Sequence, residues 1–371
     1  MSCDILFIAP ANSIHAHRWI EQFKDTKFNW ISFSDPGNVY DNLNQVQKNN
    51  LFKLVNSKFL LTKYLPFFLT LFFCIKLRPK KIHIQSIHKY AFYSLLLFFF
   101  HKDIAITVWG SDFNLNKNNF LKKIVFQFIF KKAKLITTDG IHIKKNIENF
   151  SKNVENKIKI INFGLDKFYD DKNIDIKLVN KKIIEICSTE KKIIFSSRGY
   201  EYYYGYLDLI YALRELSENI DNNFLLVLCG WPGSQNYKKL ILKKIIQYNL
   251  EEKVQLLGPL NKFDLKYLVL NSYVYVSSSR SDAGISSSIC ESMSQSIPVI
   301  AENNSDNHLW IKEGINGFIY SSTSSGDLSK KINEIKNLDK NILIKYNQNI
   351  LKEKNDIVLE MKKFKKSLGF N

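Results

Sequence analysis

Nothing in this chain is spaced to hold a metal or a disulfide framework. Its five cysteines (Cys3, Cys74, Cys187, Cys229, Cys290) are scattered, with no CxxC pair. That excludes structural zinc and fits a reducing compartment. The seven histidines form no HExxH pattern and no carboxylate cluster, so no protein-bound catalytic metal and no cofactor is expected. A GxGxxG dinucleotide fingerprint is also missing. No internal repeat or low-complexity tract occurs. The apolar runs Tyr64–Ile75 and Ala91–Phe100 are shorter than the roughly 20 residues a spanning helix needs, and Pro66 interrupts the first. The start, MSCDILFIAP, reads as a strand and not as a charged, apolar leader. A cytoplasmic protein is the expectation.

Acid is missing from one stretch in particular. Residues 51–100 hold eight Lys/Arg and no Asp or Glu. The formal charge of +18 is uneven: residues 1–170 carry 25 basic against 12 acidic residues, the remainder 28 against 23. Positive charge beside two apolar runs suits an anionic membrane surface, which would make the protein peripheral on the inner face. The alternative is that both runs are core helices of a lysine-rich chain. Nucleic acid is not expected as a partner, because no base-stacking motif accompanies the charge.

What is present is an alternation of short β-rich runs with longer helical patterns. Strands are expected at Ile5–Ala9, Phe28–Phe33, Ile82–Gln85, Ile104–Trp109, Leu135–Thr138 and Lys159–Asn162. Helices fall between them, as at Ala16–Phe23, Phe59–Lys76 and Phe120–Lys132. A second series follows at Lys192–Ser196, Phe224–Cys229, Val254–Leu257, Tyr273–Val276, Pro298–Ala301 and Phe318–Tyr320. Such alternation predicts parallel sheets covered on both faces. The fold class is therefore α/β, with two doubly wound, Rossmann-like domains facing a cleft. Domains are expected over 1–170 and 171–345, joined by the polar Gly164–Asn180, with a C-terminal helix over 346–371 returning to the first domain.

Ligands bind such sheets at the carboxyl ends of strands. The richest strand end is Asn271–Glu302, where YVYV runs into serines and then a short helix. Ser286, Ser287 and Ser288 would offer backbone N–H groups to a phosphate. Glu291, expected in the first helical turn, could hold a ribose; equally, Ser288-x-x-Glu291 is a capping box. Arg198, ending the first strand of the second half, suits a two-pronged phosphate contact. Cys229–Gly233 has small residues that allow close approach, and Leu257–Leu260 could lay backbone against a base. In the first half, Asn12 and Ser13 could cap a helix and still face the cleft, and His15 could hydrogen-bond a substrate. Asp112, after the turn at Gly110, could orient an acceptor hydroxyl or take its proton; its other reading is an N-cap.

Seven pieces, in order, resemble glycosyltransferase family 4: SIHAHRW at Ser13–Trp19, WGSD at Trp109–Asp112, NFGLD at Asn162–Asp166, SSRG at Ser196–Gly199, LLGPL at Leu256–Leu260, ESMSQSIPVIA at Glu291–Ala301 and EGINGF at Glu313–Phe318. The resemblance implies GT-B architecture and a retaining, metal-independent transferase. It would move a hexose from a nucleotide sugar, UDP- or GDP-linked, to a lipid-linked or saccharide acceptor in cell-surface glycan synthesis (lipopolysaccharide, capsule or glycoprotein glycan). Glu291 would bind ribose, Leu260 the base through its backbone, and Arg198 the leaving diphosphate. The donor set is then Asn12, Ser13, Arg198, Tyr204, Gly230, Leu260, Asp282, Gly284, Ile285, Ser286, Ser287 and Glu291. The acceptor set is His15, His88 and Trp109, with Asp112 and Arg198 catalytic. Three positions depart from the family pattern. Ala283 stands where the first of two paired glutamates belongs, with Asp282 beside it. Tyr204 replaces a lysine. The Trp109–Asp112 turn replaces a histidine. These departures leave a second reading, a lapsed enzyme that binds sugars or scaffolds another transferase.

Overall fold

A computed structural model describes residues 2–35, 45–54, 65–219, 223–324 and 326–370. The chain forms two compact units. One comprises residues 1–164 with 357–371, the other residues 165–356.

The first unit is a seven-stranded parallel sheet in the order β3-β2-β1-β4-β5-β6-β7. Its strands are β1 (Ile5–Ile8), β2 (Phe28–Ser32), β3 (Leu51–Lys53), β4 (Lys81–Gln85), β5 (Ile104–Val108), β6 (Leu135–Thr138) and β7 (Ile158–Ile160). The second unit is a six-stranded parallel sheet in the order β10-β9-β8-β11-β12-β13. These strands are β8 (Lys192–Ser197), β9 (Phe224–Cys229), β10 (Val254–Leu256), β11 (Val274–Ser277), β12 (Val299–Glu302) and β13 (Gly317–Tyr320). Strand β3 was not anticipated: three residues, none of them buried, leave no readable alternation.

Parallel sheets bury both faces, so their strands read as apolar runs rather than alternating ones. The second unit shows the pleat directly. Ile194, Leu226, Leu228, Val274, Val276 and Ile300 pack into one core. Their chain neighbours Ile193, Phe195, Leu225, Val227, Tyr275 and Val299 pack into another on the opposite face. In the first unit the helix Ile14–Glu21 and the last helix, Ile357–Leu368, share a core of Trp19, Phe23, Met361 and Phe364 with β1.

The structure redraws several expected boundaries. The unit boundary falls after Gly164, and the return to the first unit starts at Ile357 rather than at 346. The helix Lys340–Lys354 stays in the second unit, where Ile350 and Leu351 join its core. The expected linker Gly164–Asn180 is not a free tether. Lys266 Nζ donates to the carbonyls of Phe168 and Asn173, and Gln295 Nε2 to that of Tyr169. Pro66 does not interrupt its apolar run. It lies in the first turn of the helix Leu65–Leu77, where no intrahelical N–H is needed. Residues 59–64 of the expected helix Phe59–Lys76 lie outside the described residues. Ala91–Phe100 divides between two short helices, Lys89–Tyr93 and Leu97–Phe100.

Gly317 has a steric reason to be glycine. A Cβ there would lie 1.7 Å from the Val299 carbonyl oxygen, its ladder partner on β12. Backbone cannot step aside as a side chain would. Gly317→Ala should therefore cost about 3 kcal/mol or more in urea unfolding; a loss below about 1 kcal/mol would contradict the register.

Candidate active site

The second unit's site is built on the end of β8. Tyr206 lies fully buried beneath it. Its hydroxyl accepts from the backbone N–H of Arg198 (2.7 Å) and Gly199 (3.0 Å) and donates to the Cys229 carbonyl (2.6 Å). Burial pushes the phenol well above its ordinary pKa, so it remains a donor. One side chain thus ties the ends of β8 and β9 together. The two loops also meet at their glycines: a Cβ on Gly230 would sit 2.6 Å from the Gly199 nitrogen, and Gly230 has φ +143°. The small residue at 230 makes room for Gly199 backbone.

The Arg198 side chain turns toward the loop after β11. Its Nη2 ion-pairs with Asp282 Oδ1 and donates to Ser279 Oγ at 3.4 Å. The guanidinium lies 4.8 Å from the centre of the Tyr204 ring. So Arg198 and Tyr204 meet Asp282, 84 residues from Arg198 in sequence, at one point. Burial opposes the guanidinium's charge, but Asp282, joined by Tyr204, Tyr275 and Tyr206, outweighs it; the pKa rises and the group stays charged. The cluster is incomplete. Among the described residues, Arg198 Nε and Asp282 Oδ2 are buried without a hydrogen-bond partner. Buried polar groups are rarely left so, which sets this cluster apart.

The loop from Ser278 to Ser286 is pinned from both sides. Ser278 Oγ donates to the Tyr204 carbonyl, and Arg280 pairs with Asp208 at 2.6 Å. Asn304 Nδ2 donates to the Ser279 carbonyl. Ser305 Oγ sits 2.9 Å from the Asp282 carbonyl, 2.8 Å from that of Ala283 and 3.2 Å from that of Gly284. Ala283, Gly284 and Ile285 are buried. The helix Ser287–Ser294 then starts from Ser286, whose Oγ accepts from Ile289 N. The capping box expected at Ser288-x-x-Glu291 is therefore displaced: Ser286 is the cap, and no acidic residue lies in the first turn. Glu291 stands in the second turn, half-buried. Leu260 is half-buried against the core beside the helix Lys262–Leu270. Earlier in the same loop, the Leu257 carbonyl is engaged by the Tyr200 hydroxyl and that of Gly258 by Gly230 N.

In the first unit, Asn12 is exposed and Ser13 caps the helix Ile14–Glu21 by accepting from Ala16 N. The His15 ring lies 4.6 Å from Phe163 and 6.2 Å from Trp109, so His15 and Trp109 do come together. His88 stands at the start of the helix Lys89–Tyr93; partial desolvation of its ring, then Lys122, lowers its pKa. At Asp112 the N-cap expectation changes. It does not cap a helix from outside; it lies within the short helix Ser111–Asn114. Its Oδ1 accepts from Trp109 N (2.9 Å) and its Oδ2 from Ile87 N (2.7 Å). The carboxylate cross-links the loops that carry Trp109 and His88, which is a positioning role.

Sequence reasoning missed Tyr206, Phe163, Ser305 and Arg18. The guanidinium of Arg18 donates to the Gly164 carbonyl at 2.7 Å, and Trp19 Nε1 to that of Phe163 at 3.3 Å. The SIHAHRW segment thus holds the NFGLD segment. The only prior signal was that both segments were distinctive.

Comparison with known proteins agrees with this geometry. Residues 4–140 match the family described as glycosyl transferase 4-like, and residues 179–353 that described as glycosyl transferases group 1. An uncharacterised glycosyltransferase of Methanocaldococcus jannaschii is 26% identical over 261 residues, spanning 69% of this chain and 63% of that relative. Among solved structures, Anabaena HepE in complex with UDP and glucose superposes with a TM-score of 0.83 at 17% identity over 99% of both chains. A glycosyltransferase from Rickettsia africae gives 0.73 at 20% identity, again over 99% of each. The fold shared with these structures is GT-B.

Two outcomes test the site's construction. Tyr206→Phe strands two N–H groups and a carbonyl, and should cost about 1–3 kcal/mol in urea unfolding; an unchanged midpoint would contradict the hub. Burial, only partly offset by its hydrogen bonds, raises the Asp112 pKa to about 6 from an ordinary 3.8. A raised carboxyl stabilises below its unfolded value and loses that contribution as pH climbs through about 6. Asp112→Asn should flatten the fall in stability between about pH 4 and 6, followed by thermal melts; an unchanged slope would refute the buried carboxyl.

Proposed function

The chain belongs to the GT-B glycosyltransferases of the family 4 type, and on that footing we propose that it transfers a hexose from a nucleotide sugar to a lipid-linked or saccharide acceptor in cell-surface glycan synthesis, with retention. The observation that carries the reading is the Arg198 cluster: a buried guanidinium with an unpartnered Nε, bonded to the loop that leads into a capped helix N-terminus. That pairing of a cation with helix-start amides is suited to a diphosphate. UDP is the first choice of nucleotide, since HepE binds UDP and UDP-glucose; GDP is the alternative.

Breaking the sugar–phosphate bond leaves charge on the departing diphosphate. Arg198 and the amides of Ser287 and Ser288 would stabilise it, and no metal is needed for that task. Glu291 would hold the ribose and the Leu260 backbone the base. The sugar would pass through an oxocarbenium-like state while the acceptor hydroxyl attacks the face that the phosphate vacates. Asp112 would act by fixing the Trp109 and His88 loops, where His15 and Trp109 would meet the acceptor.

A lapsed enzyme is the second reading. It is favoured by two features: Asp282 already neutralises Arg198, and the neighbouring Ala283 cannot bind a sugar through its side chain. Thermal melts with UDP- and GDP-sugars, followed by product analysis, separate the two. A folded-state ligand raises the melting temperature with the logarithm of its concentration. Stabilisation with sugar release or transfer supports the enzyme; stabilisation without turnover supports the lapsed reading. Arg198→Ala should lower kcat about 10²–10³-fold. Turnover near wild type in that variant would sink the assignment.

A further inference from the structure

The first unit exposes an apolar face that donor binding in the second unit does not use. The connections β3→β4, β4→β5 and β5→β6 all step in one direction along the sheet. Right-handed crossovers place their helices on the same side. Those helices are Leu65–Leu77, the pair Lys89–Tyr93 and Leu97–Phe100, and Phe120–Lys132. Ring contacts join them in series: Phe67 with Phe92 at 5.1 Å, and Phe99 with Phe128 at 5.1 Å.

The outer surface of this layer is apolar. Leu65, Phe68, Phe72 and Ile75 are exposed at steps of three and four, which is a single helical stripe; Phe68 is 65% and Ile75 66% exposed. Phe99 and Phe100 are exposed at the end of the next helix. On the third helix, Phe120 and Leu121 are 74% and 73% exposed. A soluble surface rarely carries so much apolar area without a partner.

Charge identifies the partner. Residues 65–138 contain twelve Lys/Arg and two acids. Neither acid offsets the surface. Asp103 is held by Lys81 and Lys134, and Asp112 is spent on the Ile87 and Trp109 amides. A second copy of this chain would bring like charges together. Nucleic acid would leave the phenylalanine stripe unused. Among the described residues no helix is long and apolar enough to cross a bilayer. We propose that this face lies on an anionic lipid surface, with Phe68, Phe72, Ile75, Phe120 and Leu121 entering the interface and the surrounding lysines meeting headgroups. The proposal extends the surface expected from residues 51–100 to Lys117, Lys122 and Lys123, and it does not depend on the donor site.

The test is co-sedimentation of the full chain with vesicles of phosphatidylcholine alone or mixed with phosphatidylglycerol. Wild type should pellet with the mixed vesicles at low salt and be released as salt rises. Phe68→Ser/Phe72→Ser and, separately, Phe120→Ser/Leu121→Ser should each weaken binding at least about tenfold with unchanged melting temperature, because all four side chains are exposed. Lys122→Glu/Lys123→Glu should steepen the loss on anionic vesicles only. Wild type that stays in the supernatant, or serine variants that pellet as wild type does, would overturn the proposal. So would a dimer in solution that the Phe68→Ser/Phe72→Ser variant dissolves, or tighter salt-sensitive binding to duplex DNA than to vesicles.

Discussion

A guanidinium taken out of water must be compensated, and much of the second unit's loop structure follows from that requirement. Removing one partner from a buried ion pair costs several kcal/mol, because it leaves the other charge unmatched. Arg198 is compensated by Asp282, from the loop after β11, and by the face of Tyr204, from the loop after β8. Its backbone is fixed separately, by the Tyr206 hydroxyl. Arginine and aspartate can hold this position only if the two loops arrive at a set distance. Gly205 allows it: a Cβ there would come within 2.5 Å of the Ser278 carbonyl. The glycines and serines at these strand ends are therefore architectural before they are functional.

The same division appears in the first unit. His15 and Trp109 have the chemistry to meet a substrate, but their placement depends on other groups. Arg18 and Trp19 hold the Phe163–Gly164 backbone, and Phe163 lies against the His15 ring. Asp112 ties the β4 and β5 loops. In both units, a buried polar side chain bonded to backbone sets the loops from which the candidate binding residues project. The distinctive sequence pieces therefore include residues that hold a loop in place.

The alternation of elements was legible because parallel strands are buried on both faces and so read as unbroken apolar runs; β6 and β9 end where the sequence says they do. Strand β3 was not legible, since it is short and half-exposed. At the site, the sequence indicated Arg198 and the serine-rich helix start, because charge and small residues at a strand end are unusual. It could not indicate that Asp282 would occupy the arginine, nor that Ser286 rather than Ser288 would be the cap, since both depend on the path of a loop held by Ser305 and Asn304. Tyr206 was invisible for a related reason. In the run Tyr202–Tyr206 nothing distinguishes the one hydroxyl that turns inward.

The central claim is that Arg198, paired with Asp282 here, is the group that would bind a diphosphate. Calorimetric titration of UDP into wild type and into Asp282→Asn, each with and without Arg198→Ala, tests it most directly. Neutralising Asp282 should tighten UDP binding, because the Arg198 guanidinium is released from its ion pair to meet the diphosphate, and the gain should vanish when Arg198 is absent. Equal affinities in wild type and Asp282→Asn, or a gain that survives Arg198→Ala, would contradict the account.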